Sequence, residues 1–419
     1  MTSTGRNQFA QDVQPPVFML HLFSTHHAQA MLDTPSLPHY FSAEHEEFRA
    51  SLRDFVSREI TPHVHAWDEA ETFPRDLYQR IARLGVLGIG YPEALGGTPA
   101  DLFFHIITAE EMARSGSGGV SASLLSHTIS LPPIARYGSQ ALQQRIVPAV
   151  LSGEKIAALA VTEPGGGSDV AALKTTAVLE GDHYVVNGEK VFITSGMRAD
   201  YFTVAVRTDP ANQGAGGVSA LMIEADSPGL TRTPLKKMGW WSSDTAQLRF
   251  DNVRVPVAHL LGVENQGFKV FMNNFNGERL GMSAQACMFA QVCLQEATDW
   301  ARERQTFGQP LSQRQVIRHK LVDMAMKIEA ARSLVYELAW QVEHHHGDSA
   351  HLVARTCMAK ILSTQAMQFC ADQAVQILGG MGFMRGTRSE RIYREVKVMM
   401  IGGGSEEIMK DLAARQLGI

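Results

Sequence analysis

The chain is predicted to be mainly α-helical, with one β domain set between two helical ones. Three observations carry this. Apolar residues recur every three to four positions on both flanks, which is the spacing of amphipathic helices. Between about residues 155 and 265 the period shortens to two, and β-branched and aromatic residues gather between Gly, Pro and Asp turns. With 45% apolar and 19% charged residues in 419, the chain can build a large core. The divisions read from these patterns are an extension at 1–38, an N-terminal helical domain at 39–154, a middle β domain at 155–265 and a C-terminal helical bundle at 266–419.

Residues 1–38 are polar and poorly periodic. Val17–Phe23, with Arg6 before it and Ala28-Gln29-Ala30 after it, outlines a secretory signal. The run is short, contains His21 and follows Asp12 and two prolines, so a disordered extension is the preferred reading. An over-called start, with Met31 as the true first residue, is the alternative, and the mass of the native protein separates the two.

Ser42 caps a helix whose first turn carries Glu44 and Glu46 and whose apolar face continues through Phe48, Leu52, Phe55 and Val56. Pro62 interrupts it, and Gly85–Gly97 reads as loop. Helix is expected again over Leu102–Ser115 and Ser121–Tyr137. In the β domain, Tyr184–Val186 and Lys190–Ile193 flank Asn187-Gly188, a strong signal for a two-residue hairpin. Tyr201–Arg207, Val218–Glu224 and Ala246–Val255 continue the strand pattern. From about Gly267 helices return. Ser312 and Gln315 are spaced as a capping box. Ile317, Leu321, Met324, Ile328, Ala331, Val335, Leu338 and Val342 then form the seam of a bundle helix. Asp348 or Ser349 opens another helix, to about Leu378.

Composition narrows the chemistry. With 38 basic and 43 acidic side chains the net charge is −5, which argues against broad nucleic-acid binding. No run approaches the roughly 20 apolar residues of a membrane span, and a cytoplasmic location is expected. Cys287, Cys293, Cys357 and Cys370 form no C-x-x-C pair and read as reduced core thiols. No dinucleotide-binding G-x-G-x-x-G, no P-loop and no G-x-S-x-G elbow is found. His344-His345-His346 reads as a solvated helix end, and no metal site is predicted.

The informative segment is Ala160-Val161-Thr162-Glu163-Pro164-Gly165-Gly166-Gly167-Ser168-Asp169-Val170. Three glycines let backbone approach a ligand, and their N–H groups with the Ser168 hydroxyl suit an anion such as a pyrophosphate. A plain structural loop is the competing reading. This segment resembles the first signature of the acyl-CoA dehydrogenase family. Gln376–Phe383, continuing to Arg391 and Glu395, resembles a second, departing only at Gly386. Arg304-Gln305-Thr306-Phe307-Gly308 resembles a third, and the likeness runs in order from about Phe41 to Ile419.

The resemblance implies a helical domain, a middle β-barrel-like domain and a C-terminal four-helix bundle, usually assembled as a homotetramer built as a dimer of dimers. It implies FAD as cofactor, an acyl-CoA substrate and an electron-transferring flavoprotein as partner. By position, Val161 and Thr162 would contact the isoalloxazine ring, Phe192 would pack on it, and Thr194 would bond near N5. Gly167 and Ser168 would meet the pyrophosphate, with Ser168 also reaching substrate. Arg304, Thr306, Phe307, Gln376 and Gly380 would reach FAD from a neighbouring subunit, and Ser405 and Glu407 would contact cofactor after the active-site loop. Taken singly, Phe192 and Phe307 also read as core packing.

Many family members carry their base in the loop that here reads Met400-Ile401-Gly402-Gly403-Gly404-Ser405. Gly403 stands in the glutamate's place and cannot take a proton. A minority branch, the long-chain and isovaleryl type, carries its carboxylate on a bundle helix immediately before an arginine. Asn276-Gly277-Glu278-Arg279-Leu280 resembles that arrangement, with Arg279 and Arg304 25 positions apart as in the family. Lys236-Lys237-Met238-Gly239 with Asp244-Thr245-Ala246 also resembles that branch. Glu278 would abstract the α-proton, the Gly403 N–H with a flavin hydroxyl would bond the thioester oxygen, and flavin N5 would accept the β-hydride, giving a trans-2-enoyl-CoA. A surface or salt-bridged helix carboxylate beside Arg279 is the bland reading of Glu278. Arg279 would support the loop or approach CoA. His127 reads as a satisfied helix histidine. Two alternatives stand: a flavin monooxygenase or oxidase of the same fold, and a scaffold of that fold without flavin.

Overall fold

The computed structural model describes residues 37–212 and 214–419, so the readings of Val17–Phe23 and Met31 lie outside the described residues. The N-terminal part is helical: α1 (Ala43–Phe55), α2 (Val64–Glu69), α3 (Asp76–Ala82), α4 (Leu102–Ala113), α5 (Gly118–Leu124), α6 (His127–Tyr137) and α7 (Gln140–Leu151). Ser42 caps α1 as expected: its hydroxyl accepts from the His45 N–H, and the His45 ring accepts from the Ser42 N–H at 2.9 Å. Near Pro62 the chain passes through a π turn at Val56–Ile60 and a 3₁₀ turn before α2. The helix expected over Ser121–Tyr137 is two helices. The chain turns at Leu125-Ser126, where the Ser126 hydroxyl donates to the Ala157 carbonyl at 3.0 Å.

The middle part is one curled sheet of β1 (Ala157–Ala160), β2 (Thr176–Glu180), β3 (His183–Thr194), β4 (Tyr201–Arg207), β5 (Val218–Glu224), β6 (Leu230–Pro234) and β7 (Thr245–Pro256). Its order is β1-β4-β2-β3-β7-β6, with β5 on β4. The hairpin expected at Asn187-Gly188 is absent, because β3 runs straight through these residues. They form a bulge where the register against β7 slips between Val186 and Gly188. Gly188 has φ +144, and a side chain there would strike Thr175 at 2.6 Å. The turn is six positions earlier, at Gly181-Asp182 between β2 and β3, with Gly181 at φ +65. Asn-Gly serves bulge and turn equally well, because both need a residue tolerant of unusual φ.

The bundle is α8 (Gly267–Glu303), a small hairpin of β8 (Gln305–Thr306) and β9 (Gln309–Pro310), α9 (Gln315–Glu343), α10 (Ser349–Leu378), α11 (Gly380–Phe383), α12 (Arg388–Ile401) and α13 (Glu406–Leu417). The Ser312/Gln315 capping box does not form. Leu311–Gln313 is a 3₁₀ turn, and α9 begins at Gln315 without a side-chain cap. Asp348 does cap α10, accepting from the His351 N–H at 2.9 Å. The α9 seam is buried from Met324 to Leu338, while Val342 is exposed. All four cysteines are free and buried. Among the described residues no helix is long and apolar enough to cross a membrane, and no metal-ligand cluster is present.

The three parts share cores. Leu52, Phe55 and Ile60 pack in one cluster with Val186, Phe202 and Leu248 of the sheet. At the junction of all three parts, buried Asp68 accepts from the Arg391 Nε at 3.1 Å, and Glu395 accepts from the Gly118 N–H at 2.8 Å. Removing one partner of a buried pair leaves an uncompensated charge and costs about 3–5 kcal/mol. Asp68→Ala is therefore expected to lower the thermal midpoint by several degrees in a melting curve. An unchanged midpoint would show that the junction does not hold the parts together.

Candidate active site

The Gly-rich loop leaves β1 at Val161 and is held from beneath by a buried ion pair. Lys190, fully buried on β3, donates to the Glu163 carboxylate at 2.8 Å and to the Val161 carbonyl at 3.0 Å. Glu163 also accepts from the Lys174 and Thr175 N–H groups at 2.6 and 2.9 Å. Burial pushes the Lys190 ammonium down to about 8 against the pull of Glu163. Burial opposes ionisation of Glu163 too, but Lys190 and these hydrogen bonds outweigh it and hold its carboxyl below the usual range. Arg207 ties down the chain after the loop through the Ala171 and Leu173 carbonyls at 2.6 and 2.9 Å. Sequence reading missed Lys190 and Arg207. A charged residue within a strand pattern was the available signal.

The same frame brings four predicted residues together. The Val191 N–H donates to the Thr162 carbonyl at 2.9 Å, setting Val161 and Thr162 beside the strand that carries Phe192 and Thr194. β3 is irregular between Lys190 and Ile193, and Phe192, at φ +61, turns its ring outward, 69% exposed. Core packing of Phe192 is thereby excluded. Gly167 and Ser168 follow in the exposed loop. One of the three expected amide donors is spent, because the Gly166 N–H bonds the Glu163 carbonyl at 3.1 Å. A side chain at Gly165 would meet nothing within 4 Å, and one at Gly167 only ordinary contact at 3.6 Å. The fold itself thus does not require glycine there, which fits a backbone reserved for close approach of a ligand.

Glu278 lies on α8, three residues after Phe275, which packs against the cluster containing Val161 and Phe271. Among the described residues its Oε2 is shielded from solvent and has no hydrogen-bond partner. Burial pushes the carboxyl up to about 7, with Arg279 and Lys360 acting the other way. Arg279 is buried. Its Nε donates to the Gly403 carbonyl at 2.9 Å and its Nη1 to Asn276 at 3.1 Å. Of the two expectations for Arg279, loop support is the one realised in these contacts. Gly403 sits at φ +67 in the turn closing α12. Ser405 caps α13, accepting from the Ile408 N–H at 3.5 Å, and Glu407 is exposed in that helix's first turn.

The remaining predicted residues lie elsewhere. Arg304, Thr306 and Phe307 follow the end of α8, 25 residues and thus about 37 Å along the helix from Glu278. Phe307 is 98% exposed at φ +49, so core packing is excluded for it too. Gln376 and Gly380 are exposed near the end of α10, and α10 packs alongside α8. Within one chain Arg304, Thr306 and Phe307 thus lie at the far end of α8 from Glu278. His127 begins α6 and is buried, and burial pushes its imidazole down to about 4, consistent with a neutral structural histidine.

The models for the N-terminal, middle and C-terminal domains of acyl-CoA dehydrogenase match residues 42–154, 158–253 and 265–418 in turn. The chain belongs to the acyl-CoA dehydrogenase family. This is a family of FAD-dependent oxidoreductases. The chain is 37% identical over 379 residues to an acyl-CoA dehydrogenase of Bacillus subtilis, covering 90% of this chain and 99% of that one. It is 35% identical over 400 residues to the mitochondrial long-chain specific acyl-CoA dehydrogenase of Rattus norvegicus, covering 93% and 92%. A solved probable acyl-CoA dehydrogenase from Mycobacterium abscessus superposes with a TM-score of 0.87 at 46% identity, covering 90% of this chain and all of that one. The acyl-CoA dehydrogenase fold, with its middle sheet and helical flanks, is the fold expected from the sequence.

Proposed function

We propose that this acyl-CoA dehydrogenase removes the α-proton of an acyl-CoA thioester with Glu278 and forms the trans-2-enoyl-CoA. One observation carries the assignment: a carboxyl oxygen shielded from solvent, without a partner, beside the loop whose usual glutamate is Gly403. The α-proton of a thioester is weakly acidic and needs a base whose pKa lies near working pH. Burial supplies that shift for Glu278.

FAD fits the β-domain patch, where Phe192 offers an outward ring and Gly165–Gly167 an open backbone. Val161, Thr162, Phe192 and Thr194 would hold its ring system, and Gly167 and Ser168 its diphosphate. When bound, FAD supplies the two-electron acceptor for the β-hydride. Arg279 fixes the turn at Gly403, and the Gly403 N–H would bond the thioester oxygen as charge develops there. Ser168 would also meet substrate. Glu278 would keep the abstracted proton on a carboxyl whose Oε2 is shielded from solvent.

Arg304, Thr306, Phe307, Gln376 and Gly380 would complete the cofactor site of a second copy, in a homotetramer built as a dimer of dimers. Their distance from Glu278 and the exposure of Phe307 favour this, as do exposed Val316, Val322 and Met326 on α9. Electrons would pass to an electron-transferring flavoprotein. The helix-borne base suggests a long or branched acyl group. A panel of short, long and branched acyl-CoAs with an artificial electron acceptor tests the proposal. Turnover of at least one is expected. Oxygen-coupled hydroxylation without acyl-CoA turnover would favour a monooxygenase, and a purified chain without a flavin spectrum would favour a scaffold.

A further inference from the structure

The turn that carries Gly403 is gripped from two helices. Lys360 on α10 is 1% exposed, and its Nζ donates to the Met400 carbonyl at 3.0 Å and to the Gly404 carbonyl at 2.7 Å. Arg279 on α8 donates to the carbonyl between them, Gly403, at 2.9 Å. Two buried cations therefore draw three carbonyls of one five-residue turn to the same side. A turn held this way cannot relax into an ordinary helix end. Gly403 and Gly404 occupy φ +67 and +115, and a side chain at Gly404 would meet the Met409 methyl at 2.3 Å.

We propose that Lys360 is a positioning residue for the dehydrogenation, fixing the Met400–Gly404 turn by its carbonyls so that the Gly403 amide faces the thioester oxygen. This rests on the reading of Glu278 and Gly403 given above. Lysine suits the task because one ammonium can donate to two carbonyls at once. A donor displaced by about 1 Å from a developing oxyanion costs on the order of 10²-fold in rate. Lys360 also faces the base. Glu278 is flanked by Arg279 on its own helix and by Lys360 across from it, and Lys360 in turn faces Arg279, Glu406 and Cys357. Removing the lysine takes away a cation that favours ionised Glu278.

The test uses the full-length, FAD-loaded protein, wild type and Lys360→Met, with a reactive saturated acyl-CoA and an artificial acceptor. Methionine keeps an unbranched apolar stem but has no donor. Retained flavin absorbance is expected, with kcat and kcat/KM falling together by 10- to 100-fold. The acid limb of the pH profile moves upward, and amide exchange across residues 400–405 accelerates. Unchanged kcat, or lowered kcat with unchanged exchange in the turn, overturns the proposal. Should Lys360→Met fail to fold, Lys360→Arg carries the same readouts. Turnover within tenfold of wild type and a protected turn support the clamp. A folded, inactive Lys360→Arg with a protected turn overturns it. If wild type turns over no acyl-CoA, the dehydrogenase reading fails, while the exchange measurement still decides whether Lys360 holds the turn.

Discussion

Glu278→Gln is expected to keep bound, oxidised FAD and to lose at least 10³-fold in kcat with the best acyl-CoA. Gln matches the shape of Glu but cannot accept the α-proton, and general bases contribute about 10²–10⁴-fold. With Gly403 in the loop, no second carboxylate stands ready to replace it. In the wild type, activity rises as pH rises through about 7, because the base must be ionised. Stability runs the other way. The folded carboxyl holds its proton above the unfolded value near 4.5, so between about 4.5 and 7 the folded state binds more protons than the unfolded one. That contribution is full below 4.5 and is lost as pH rises through 7, a change of a few kcal/mol at most. Glu278→Gln should therefore melt at a higher temperature than wild type at pH 8, with the gap closing near pH 4.5. Melting curves at the two pH values, beside a kcat measurement, check both halves.

Lys190→Met is expected to yield a protein that folds but loses FAD on purification, with at least a 100-fold weaker flavin Kd. Breaking the pair strands the Glu163 carboxylate beneath the Gly-rich loop, at a cost of about 3–5 kcal/mol. The Val161 carbonyl loses its Lys190 donor at the same time. The whole segment from Val161 to Thr175 depends on this lysine, and the outward turn of Phe192 begins two residues after it. The double variant Lys190→Met/Glu163→Gln removes the stranded charge and should recover most of the stability but not the flavin. The ratio of flavin to protein absorbance, with a thermal melt, separates the two effects. Full flavin occupancy in the single variant would show that the loop does not need this support.

Elements with a strong local signal were legible in the sequence. Ser42 caps the helix it was read to cap, the helix expected from Asp348 or Ser349 starts there, and Tyr201–Arg207 and Val218–Glu224 are strands at their expected bounds. Glu278 was singled out by the resemblance of Asn276–Leu280 to the branch with a helix-borne carboxylate, and its Oε2 is shielded from solvent without a partner among the described residues. Asn187-Gly188 misled because a bulge and a hairpin ask the same of glycine, and only pairing with β7 distinguishes them. Ser312 had the spacing of a cap but sits in a 3₁₀ turn set by the hairpin before it. Lys190 with Glu163, Asp68 with Arg391 and Lys360 with the Met400–Gly404 turn could not be paired from the sequence, for one reason. Their partners are 27 to 323 positions away, and a charged residue in an amphipathic pattern looks solvated until the fold buries it.

The central claim is that Glu278 deprotonates an acyl-CoA in front of bound flavin. Anaerobic mixing of the FAD-loaded protein with each acyl-CoA of a panel tests it most directly, because flavin bleaching reports the first turnover without any acceptor. The account predicts rapid bleaching of wild type by at least one saturated acyl-CoA and at least 10³-fold slower bleaching of Glu278→Gln with the same compound. Bleaching of Glu278→Gln at the wild-type rate would contradict it.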